Sequence, residues 1–477
     1  HSGALLNTLK QPNLITDLGM KTLFRSVRNI SIVSLASASL CASADTLMQI
    51  YELAKTNNPE YRAAYAALQS DMQSGAIGRS AILPTVSLSA QSRYSDPLGP
   101  TTVGVQPPGS DTTNNYEARI SQTLFDMSDW YSYRSGNLGV DRALLVWEQE
   151  EQSLITNTVS AYLDVLRAID TLESIISERT ALESQLEQTQ QRFDVGLVAI
   201  TDVLEAQASY DDVIARELDA QGNLAITYEA LTVLTGRRYT SIAPLMDNYP
   251  VVSPTPSDVT DWVALSLENS QTLDLAKISV ESAELNKKDS LTNYYPTIEA
   301  AASYGGNLEG VEDADRLAGL YDEGGAFTVT LSVPIITFTG GSTWARRVQA
   351  GHNLTEAEEL LANTERNLRQ SIRINHLRVI TSISQVQARL QAIRSSEAAL
   401  EATRAGYEVG TRNLVDVLLA ERNLYSTRRN FLNARFDYIE ALLSLKSTAG
   451  TLSEEDLQEL NRWMDATNEI PSSLYLP

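Results

Sequence analysis

The chain has 477 residues, which is long for one compact core and predicts two domains or an internal duplication. It carries 37 Lys and Arg against 60 Asp and Glu, a formal net charge of −23 at pH 7. A nucleic-acid-binding surface needs clustered positive charge, so this balance argues against DNA or RNA as a partner.

The first 44 residues have the pattern of an export signal. A stretch from Met20 has basic residues, then an apolar run, then Ala-Ser-Ala before Asp45. We expect 1–19 to be upstream sequence and 20–44 to be a secretory signal peptide. The single cysteine, Cys41, lies in that segment, so the exported chain would be thiol-free. No apolar run approaches the roughly 20 residues of a membrane-spanning helix.

The rest of the chain reads as two copies of one unit. Residues 191–236 align with 405–450 without a gap and share ten identities, and Pro84 aligns with Pro296 at a similar offset. Prolines between the copies mark a linker that cannot be continuous helix. The predicted division is a first repeat at 45–236, a linker at 237–258, a second repeat at 259–450, and a short helix with a tail at 451–477.

Each copy contains two segments in which apolar and polar residues alternate, which predicts two β-strands per copy. Strands of about ten residues with one apolar face fit the wall of an outer-membrane barrel. The residues predicted to face lipid are Val86, Leu88, Ile120, Leu124, Ile298, Val329, Leu331 and Val333.

The alternative is a soluble antiparallel sheet with one face in a core. Two features favour the membrane: the loops near 95–115 and 305–326 are long and polar, and aromatic residues crowd the other strand ends (Phe125, Trp130, Tyr294, Tyr295 and Phe338). Four strands cannot close a barrel in hydrocarbon, so the chain must oligomerise. A dimer would supply eight strands and a trimer twelve, and the pattern leaves both open.

Long helices follow the strands. Between Asn137 and Val195 only Gly139 interrupts the helix-forming sequence, and apolar residues recur at coiled-coil spacing in both copies. A helix of this length spans roughly 90 Å and must project beyond the membrane. Gly196 and Gly410 are expected to end the descending helices in left-handed conformation. We further expect Thr201 and Asp202 to cap the returning helix, 202–234.

These residues resemble the TolC family of trimeric outer-membrane efflux and secretion channels. The resemblance lies in Val-Gly-Leu-Val-Ala-Ile-Thr-Asp-Val at 195–203, Tyr-Glu-Val-Gly-Thr-Arg at 407–412, Ser-Gln-Thr-Leu-Phe-Asp-Met-Ser-Asp-Trp at 121–130 and Asn-Ala-Arg-Phe-Asp-Tyr at 433–438. It implies a mainly α fold with a β-barrel part: a homotrimer with a twelve-stranded barrel in the outer membrane of a Gram-negative bacterium. A coiled-coil helical tunnel would continue the barrel across the periplasm.

The resemblance also implies partners and site residues. The partners would be a periplasmic adaptor protein, an inner-membrane transporter of the RND, ABC or MFS type, and outer-membrane lipid. The closed tip would be held by a latch of Thr201, Asp202, Tyr407 and Arg412. Asp416 would ring the pore constriction, and Leu419 stands where a second acidic ring would be, so block by cations would be weaker. The adaptor would dock at Val195, Gly196, Leu197, Val409, Gly410 and Thr411.

Plainer roles exist for these residues, since capping, surface pairing and helix-dipole stabilisation also use such side chains. Two other protein classes also compete. A soluble helical lyase conflicts with the export signal and the strand pattern, and a passive trimeric adhesin would not need two acidic hairpin tips. The chain contains no nucleophile elbow, HExxH or P-loop motif. We therefore expect no catalysis, cofactor or metal, and transport energy would come from a partner.

Overall fold

The computed structural model describes residues 45–95, 111–239, 241–307, 324–335, 339–465, 467 and 470–471. The predicted upstream sequence and signal peptide at 1–44, most of both strand-connecting loops, and Phe338 lie outside that set. The described part is mainly helical, with one four-stranded antiparallel sheet.

The two halves repeat one order of elements, as the duplication predicts. The first half contains α1 (Leu47–Asn57), α2 (Pro59–Asp71), α3 (Gln73–Ser80), β1 (Thr85–Ser95), β2 (Asp111–Phe125), α4 (Met127–Asp194) and α5 (Ile200–Thr235). A short strand, β3 (Ser241–Ile242), lies between the halves. The second half contains α6 (Val259–Asn269), α7 (Gln271–Asp289), a 3-10 turn (Thr292–Tyr294), β4 (Thr297–Asn307), β5 (Gly324–Ser332), α8 (Ser342–Glu408) and α9 (Leu414–Thr448). Then follow α10 (Glu454–Asn461) and β6 (Ile470–Pro471).

The first long helix is longer than predicted. It begins at Met127 and has 68 residues, or about 100 Å. Gly139, expected at its edge, lies inside it. The reason is a close crossing with α3, because a Cβ at Gly136 would lie 2.5 Å from the carbonyl oxygen of Ser74, and one at Gly139 would lie 2.6 Å from its hydroxyl. These glycines therefore allow helix approach rather than end the helix.

The sheet has the order β1-β2-β4-β5. Val86 pairs with Ile120, Ile120 with Ala302, and Ala302 with Phe327, so the apolar residues of all four strands share one face. On the opposite face Arg119 and Glu299 form an ion pair at 3.3 Å. Leu124 is the extra residue where the β2–β4 register shifts. Val333, predicted to lie in a strand, is one residue beyond the end of β5.

The long helices lie side by side in the order α5–α4–α9–α8. The predicted α4 seam is buried, with Ile155, Val159 and Ile169 at most 3% exposed. The α8 seam agrees in part: Ile372 and Val379 are fully buried. Leu390, predicted on the same seam, is 43% exposed.

The linker between the halves wraps the middle of the helical layer. The hydroxyl of Tyr438 on α9 donates to the carbonyl oxygen of Val252 at 2.8 Å. On the tail side, Lys446 of α9 bonds Asp456 of α10 at 2.5 Å, and β3 pairs with β6. The acidic tail helix predicted from the sequence is therefore packed against the helices at this level.

Candidate functional site

The first hairpin tip joins α4 to α5. Gly196 has φ +80°, a left-handed conformation that only glycine adopts at little cost. The amide of Leu197 donates to the carbonyl oxygen of Arg192 at 2.8 Å, one residue further back than the bonds inside the helix. This is the Schellman type of helix ending, and it reverses the chain as the sequence predicts.

The start of α5 differs from the prediction. The helix begins at Ile200, Ala199 occupies the N-cap position, and no side chain caps it. Thr201 and Asp202 lie in the first turn, so the expectation that they cap α5 is wrong. The two side chains contact each other instead, with Thr201 Oγ1 3.4 Å from Asp202 Oδ1.

The second tip joins α8 to α9 and, unlike the first, has a side-chain cap at the start of its returning helix. Gly410 has φ +77°, and the amide of Thr411 donates to the carbonyl oxygen of Gly406 at 2.8 Å. Asn413 then caps α9 in a reciprocal box: its Oδ1 accepts from the amide of Asp416 at 2.8 Å, and its own amide donates to Asp416 Oδ2 at 3.4 Å. Asp416 is therefore fixed in the first turn of α9, at the tip.

The predicted latch residues lie at the two tips with other partners. Arg412 Nη1 lies 3.8 Å from Asp416 Oδ2, a contact within the second tip. The bonds expected from Asp202 to Tyr407 and from Arg412 to Thr201 are not among the hydrogen bonds of the described residues. In this single chain Arg412 is therefore paired within its own tip.

Tyr407 joins the two hairpins differently. The guanidinium of Arg192, in the last turn of α4, lies 5.2 Å from the centroid of the Tyr407 ring on α8. The Tyr407 hydroxyl is buried and has no hydrogen-bond partner within the described part of the chain. The sequence analysis missed Arg192, whose only signal is a basic residue at a helix C-terminus, where the dipole favours it.

A second group of residues was also missed, and we call it the ion-pair ladder. It consists of Glu178–Arg216, Arg179–Glu217, Asp212–Arg422 and Arg404–Glu421. The first two pairs lock α4 to α5, and Asp212–Arg422, at 3.2 Å, links the two hairpins. The sequence signal is a pair of oppositely charged neighbours on each helix of the hairpin, Glu-Arg at 178–179 and Arg-Glu at 216–217. Which charge of one helix meets which of the other depends on how the helices pack.

Apolar side chains protrude from both tips. Val195, Leu197 and Val409 are about 70% exposed or more. Exposed apolar groups clustered at the end of a long hairpin are typical of a surface that another protein covers.

The apolar face of the sheet is also open. Val86, Leu88, Ile120, Leu124, Val329, Leu331 and Val333 are each more than half exposed, and Ile298 is partly buried. Within the described residues, no helix is long and apolar enough to cross a membrane. Nor does that part of the chain contain a group of three or more His, Cys, Asp or Glu side chains placed to hold a metal ion.

The sequence matches the family described as outer membrane efflux protein over residues 50–237 and 262–451, one match in each half. It is 34% identical over 437 residues to outer membrane protein TolC of Escherichia coli strain K12, covering 90% of this chain and 87% of TolC. It is 29% identical over 421 residues to the alkaline protease secretion protein AprF of Pseudomonas aeruginosa, covering 86% of each.

A solved structure has the same fold. The outer membrane protein VceC of Vibrio cholerae superposes with a TM-score of 0.70 at 19% identity, covering 85% of this chain and 96% of VceC. The matched helices and sheet, the duplication and the identity to TolC agree with one another. The chain therefore belongs to the outer membrane efflux protein family, and it is a non-enzymatic channel protein of the Gram-negative outer membrane that extends into the periplasm.

Proposed function

We propose that three copies form one continuous duct, the exit channel of tripartite efflux pumps and of type I protein secretion. Twelve strands would close a barrel in the outer membrane, and the helices would continue it as a tunnel through the periplasm. A periplasmic adaptor and an inner-membrane transporter of the RND, ABC or MFS type would recruit it. AprF, a relative by sequence, is named for alkaline protease secretion, which supports a role in protein export beside efflux.

The observation that carries this proposal is the sheet. It has β1 and β5 at its edges and one apolar face open along all four strands. Unpaired strand edges are not tolerated in hydrocarbon, so a sheet of this kind can enter a membrane only when other copies complete a closed barrel.

The helical part also has edges that further copies of the chain would cover. The edge helices α5 and α8 each carry exposed apolar residues on the side away from the chain: Leu218, Ile226 and Val233 on α5, and Ile374 and Leu377 on α8. In a ring of copies, α5 of one subunit would meet α8 of the next and bury these stripes. The trimer follows from the family resemblance, since ring closure alone does not fix the number of copies.

The gate would lie at the tips, where three copies of Asp416 surround the axis. Carboxylates held that close repel one another and attract multivalent cations. The unpartnered hydroxyl of Tyr407 is a donor that a latch bond to Asp202 would satisfy, and Arg412 could exchange Asp416 for Thr201 and a neighbouring Asp202. Leu419, 56% exposed on the following turn, gives no second acidic ring.

The adaptor would bind at Val195, Gly196, Leu197, Val409, Gly410 and Thr411. Three of these are the exposed apolar side chains of the two tips. Binding there would favour the open gate if the adaptor contacts open tips better than closed ones.

The test is single-channel conductance of the purified protein in a planar bilayer, with a multivalent cation added on the tip side. Small, stable conductance steps that the cation blocks, and that become larger and insensitive in Asp416→Ala, are the expected result. Asp211→Ala, another acidic residue of a long helix, is the matched control and should behave like the unaltered protein. A chain that never inserts would contradict the duct, and block unchanged in Asp416→Ala would contradict the assigned gate.

A further inference from the structure

The outer face of α8 carries a basic groove, which we call the arginine groove. It encloses about 460 Å³ and is lined by Arg366, Arg369, Gln370, Arg373, Ile374 and Leu377. The face that α8 buries inside the chain carries Leu368, Ile372 and Val379. At 3.6 residues per turn, the groove lies about half a turn from that buried face and so points away from the chain.

The arginines of this groove are poorly neutralised by the chain itself. Arg369 pairs with Glu365 on its own helix, and neither Arg366 nor Arg373 forms an ion pair with any described residue. Three arginines over two exposed apolar side chains are notable in a chain of net charge −23. Such a surface fits an acidic, partly apolar partner.

The same chain has an acidic surface of that kind on its other side, which we call the acidic edge. Glu60 of α2 lies beside Glu150 of α4, and neither has an ion-pair partner among the described residues. Burial, and then the charge of Glu60, raises the pKa of the Glu150 carboxyl. Tyr65, half exposed, stacks edge-on against Trp147 at 5.5 Å and adds an aromatic surface to this edge.

The two surfaces lie at the same height along the helices. One cavity between α4 and α8 is lined by Gln149, Gln152, Ser153 and Thr156 from α4 and by Thr364, Asn367, Leu368 and Ser371 from α8. Glu150 therefore stands level with Arg366 and Arg369. The two surfaces lie at opposite edges of the helical layer. The acidic edge is on the side where α1 to α3 pack on α4, and the arginine groove is on the outer side of α8.

We propose that the arginine groove of one subunit receives the acidic edge of a second copy of the chain. Glu60 and Glu150 would face Arg366, Arg369 and Arg373 of the neighbour. Each copy presents both surfaces, so the contact is head-to-tail and can close a ring. This inference rests on the proposed trimer and adds where its subunits are registered: about halfway along the long helices, level with the linker, in a girdle of charge pairs.

Charge pairs of this kind act mainly on register and partner choice, because desolvation offsets much of their attraction. A girdle at the middle of the helical layer would fix the vertical position of neighbouring subunits. Strand register between β5 of one copy and β1 of the next depends on that position, since a slip of one residue would turn an apolar face into the lumen.

Cysteine cross-linking tests the contact directly. In a Cys41→Ser background, Glu60→Cys combined with Arg369→Cys should give covalent dimers and trimers in outer membranes treated with a short bismaleimide. The matched control pairs Glu60→Cys with Arg389→Cys, 20 positions and about 30 Å further along α8, and should give monomers. Equal cross-linking of both pairs, or none in the first, would overturn the proposed contact.

A charge exchange gives a second readout. Arg369→Glu should weaken trimers in mild detergent about threefold to tenfold, and adding Glu60→Arg should restore them. Native mass spectrometry measures both. If the unaltered chain forms trimers but neither cross-linking nor rescue occurs, only the placement of this contact fails. If the unaltered chain forms no trimer and no channel, the proposed function fails with it.

Discussion

Arg216 on α5 holds the carboxylate of Glu178 on α4 with two hydrogen bonds, from Nη1 at 3.0 Å and from Nη2 at 2.7 Å. The Glu178 side chain is 2% exposed, and the bond to it raises the pKa of Arg216. Arg179 and Glu217 repeat the contact one residue along with the signs reversed, at 2.9 Å. The first hairpin is therefore locked in one register by two adjacent charge pairs.

Removing Arg216 should leave the buried carboxylate of Glu178 without its main charged partner. We expect Arg216→Ala to lower the free energy of unfolding by about 2–3 kcal/mol, because Glu178 loses a charged partner in a buried position. The measurement is thermal or denaturant unfolding followed by circular dichroism in detergent. Arg238→Ala is the control: its contact to Glu229 is 3.9 Å long and solvent-exposed, so the change should stay within about 0.5 kcal/mol. Equal losses in the two variants would contradict this role of the ladder.

Tyr407→Phe separates the latch from local packing. The ring under Arg192 is kept and a hydroxyl with no partner in the single chain is lost, so protomer stability should change little. Conductance in a bilayer should rise if that hydroxyl bonds Asp202 in the closed trimer. Tyr425→Phe, whose ring lies 6.0 Å from the Arg428 guanidinium away from the tip, should leave conductance unchanged. No rise in Tyr407→Phe would remove Tyr407 from the latch.

Replacing a tip glycine by alanine should destabilise the protein, whereas replacing a glycine inside a helix should stabilise it. Gly196→Ala meets no atom within 4 Å but forces an alanine to φ +80°, so it should cost about 1 kcal/mol. Gly222→Ala, also in open space but inside α5, should stabilise by about 0.5–1 kcal/mol. Unfolding midpoints of the two variants test this directly. A destabilised Gly222→Ala would indicate that a neighbouring copy packs against that glycine.

The lipid-facing assignment predicts a face-dependent effect in the sheet. Leu88 is 81% exposed on the apolar face. Changing it to arginine near the bilayer midplane should destabilise the folded protein in the membrane by about 2–4 kcal/mol. Ser89→Arg places the same charge on the opposite face, across from Glu117, and should be tolerated. Outer-membrane fractionation and heat-resistant trimer yield report the difference. Equal yields would mean that the apolar face does not contact lipid.

One buried acid predicts a pH dependence. Burial raises the pKa of Asp170 on α4 to about 7, with Glu173 adding to the effect and Arg435 opposing it. An aspartate has a pKa near 4 in an unfolded chain. Between pH 4 and pH 7 the folded chain therefore holds a proton that the unfolded chain has lost, so stability falls as pH rises.

Asp170→Asn should abolish that loss. The variant should be more stable than the unaltered chain by about 1–3 kcal/mol at pH 7.5, and equally stable at about pH 3.5, below both pKa values. Asp437→Asn, a half-exposed carboxylate paired with Arg167 at 3.1 Å, should not reproduce this gain. A gain of equal size at both pH values would mean that Asp170 titrates normally.

Several features were predictable because they depend on local rules. Alternation placed the four strands, and pairing such as Val86 with Ile120 confirms that their apolar residues share one face. Glycine preference located both hairpin tips, and Gly196 and Gly410 are left-handed as predicted. The start of α4 was wrong by ten residues, because Gly136 and Gly139 look like helix breakers until α3 is seen to cross there. The capping of α5 was wrong because Ala199, with no capping side chain, holds the N-cap position.

The sequence alone determined the duplication, the strand faces and the reversal of each long helix, since these follow from periodicity and from the backbone freedom of glycine. Only the tertiary structure decided which charges meet. Arg192 over Tyr407, and Asp212 with Arg422, join residues about 210 positions apart, and their distance depends on how two hairpins pack. Contacts of that kind leave no local periodicity in the chain, whereas the rules for helix ends and strand faces act over a few residues.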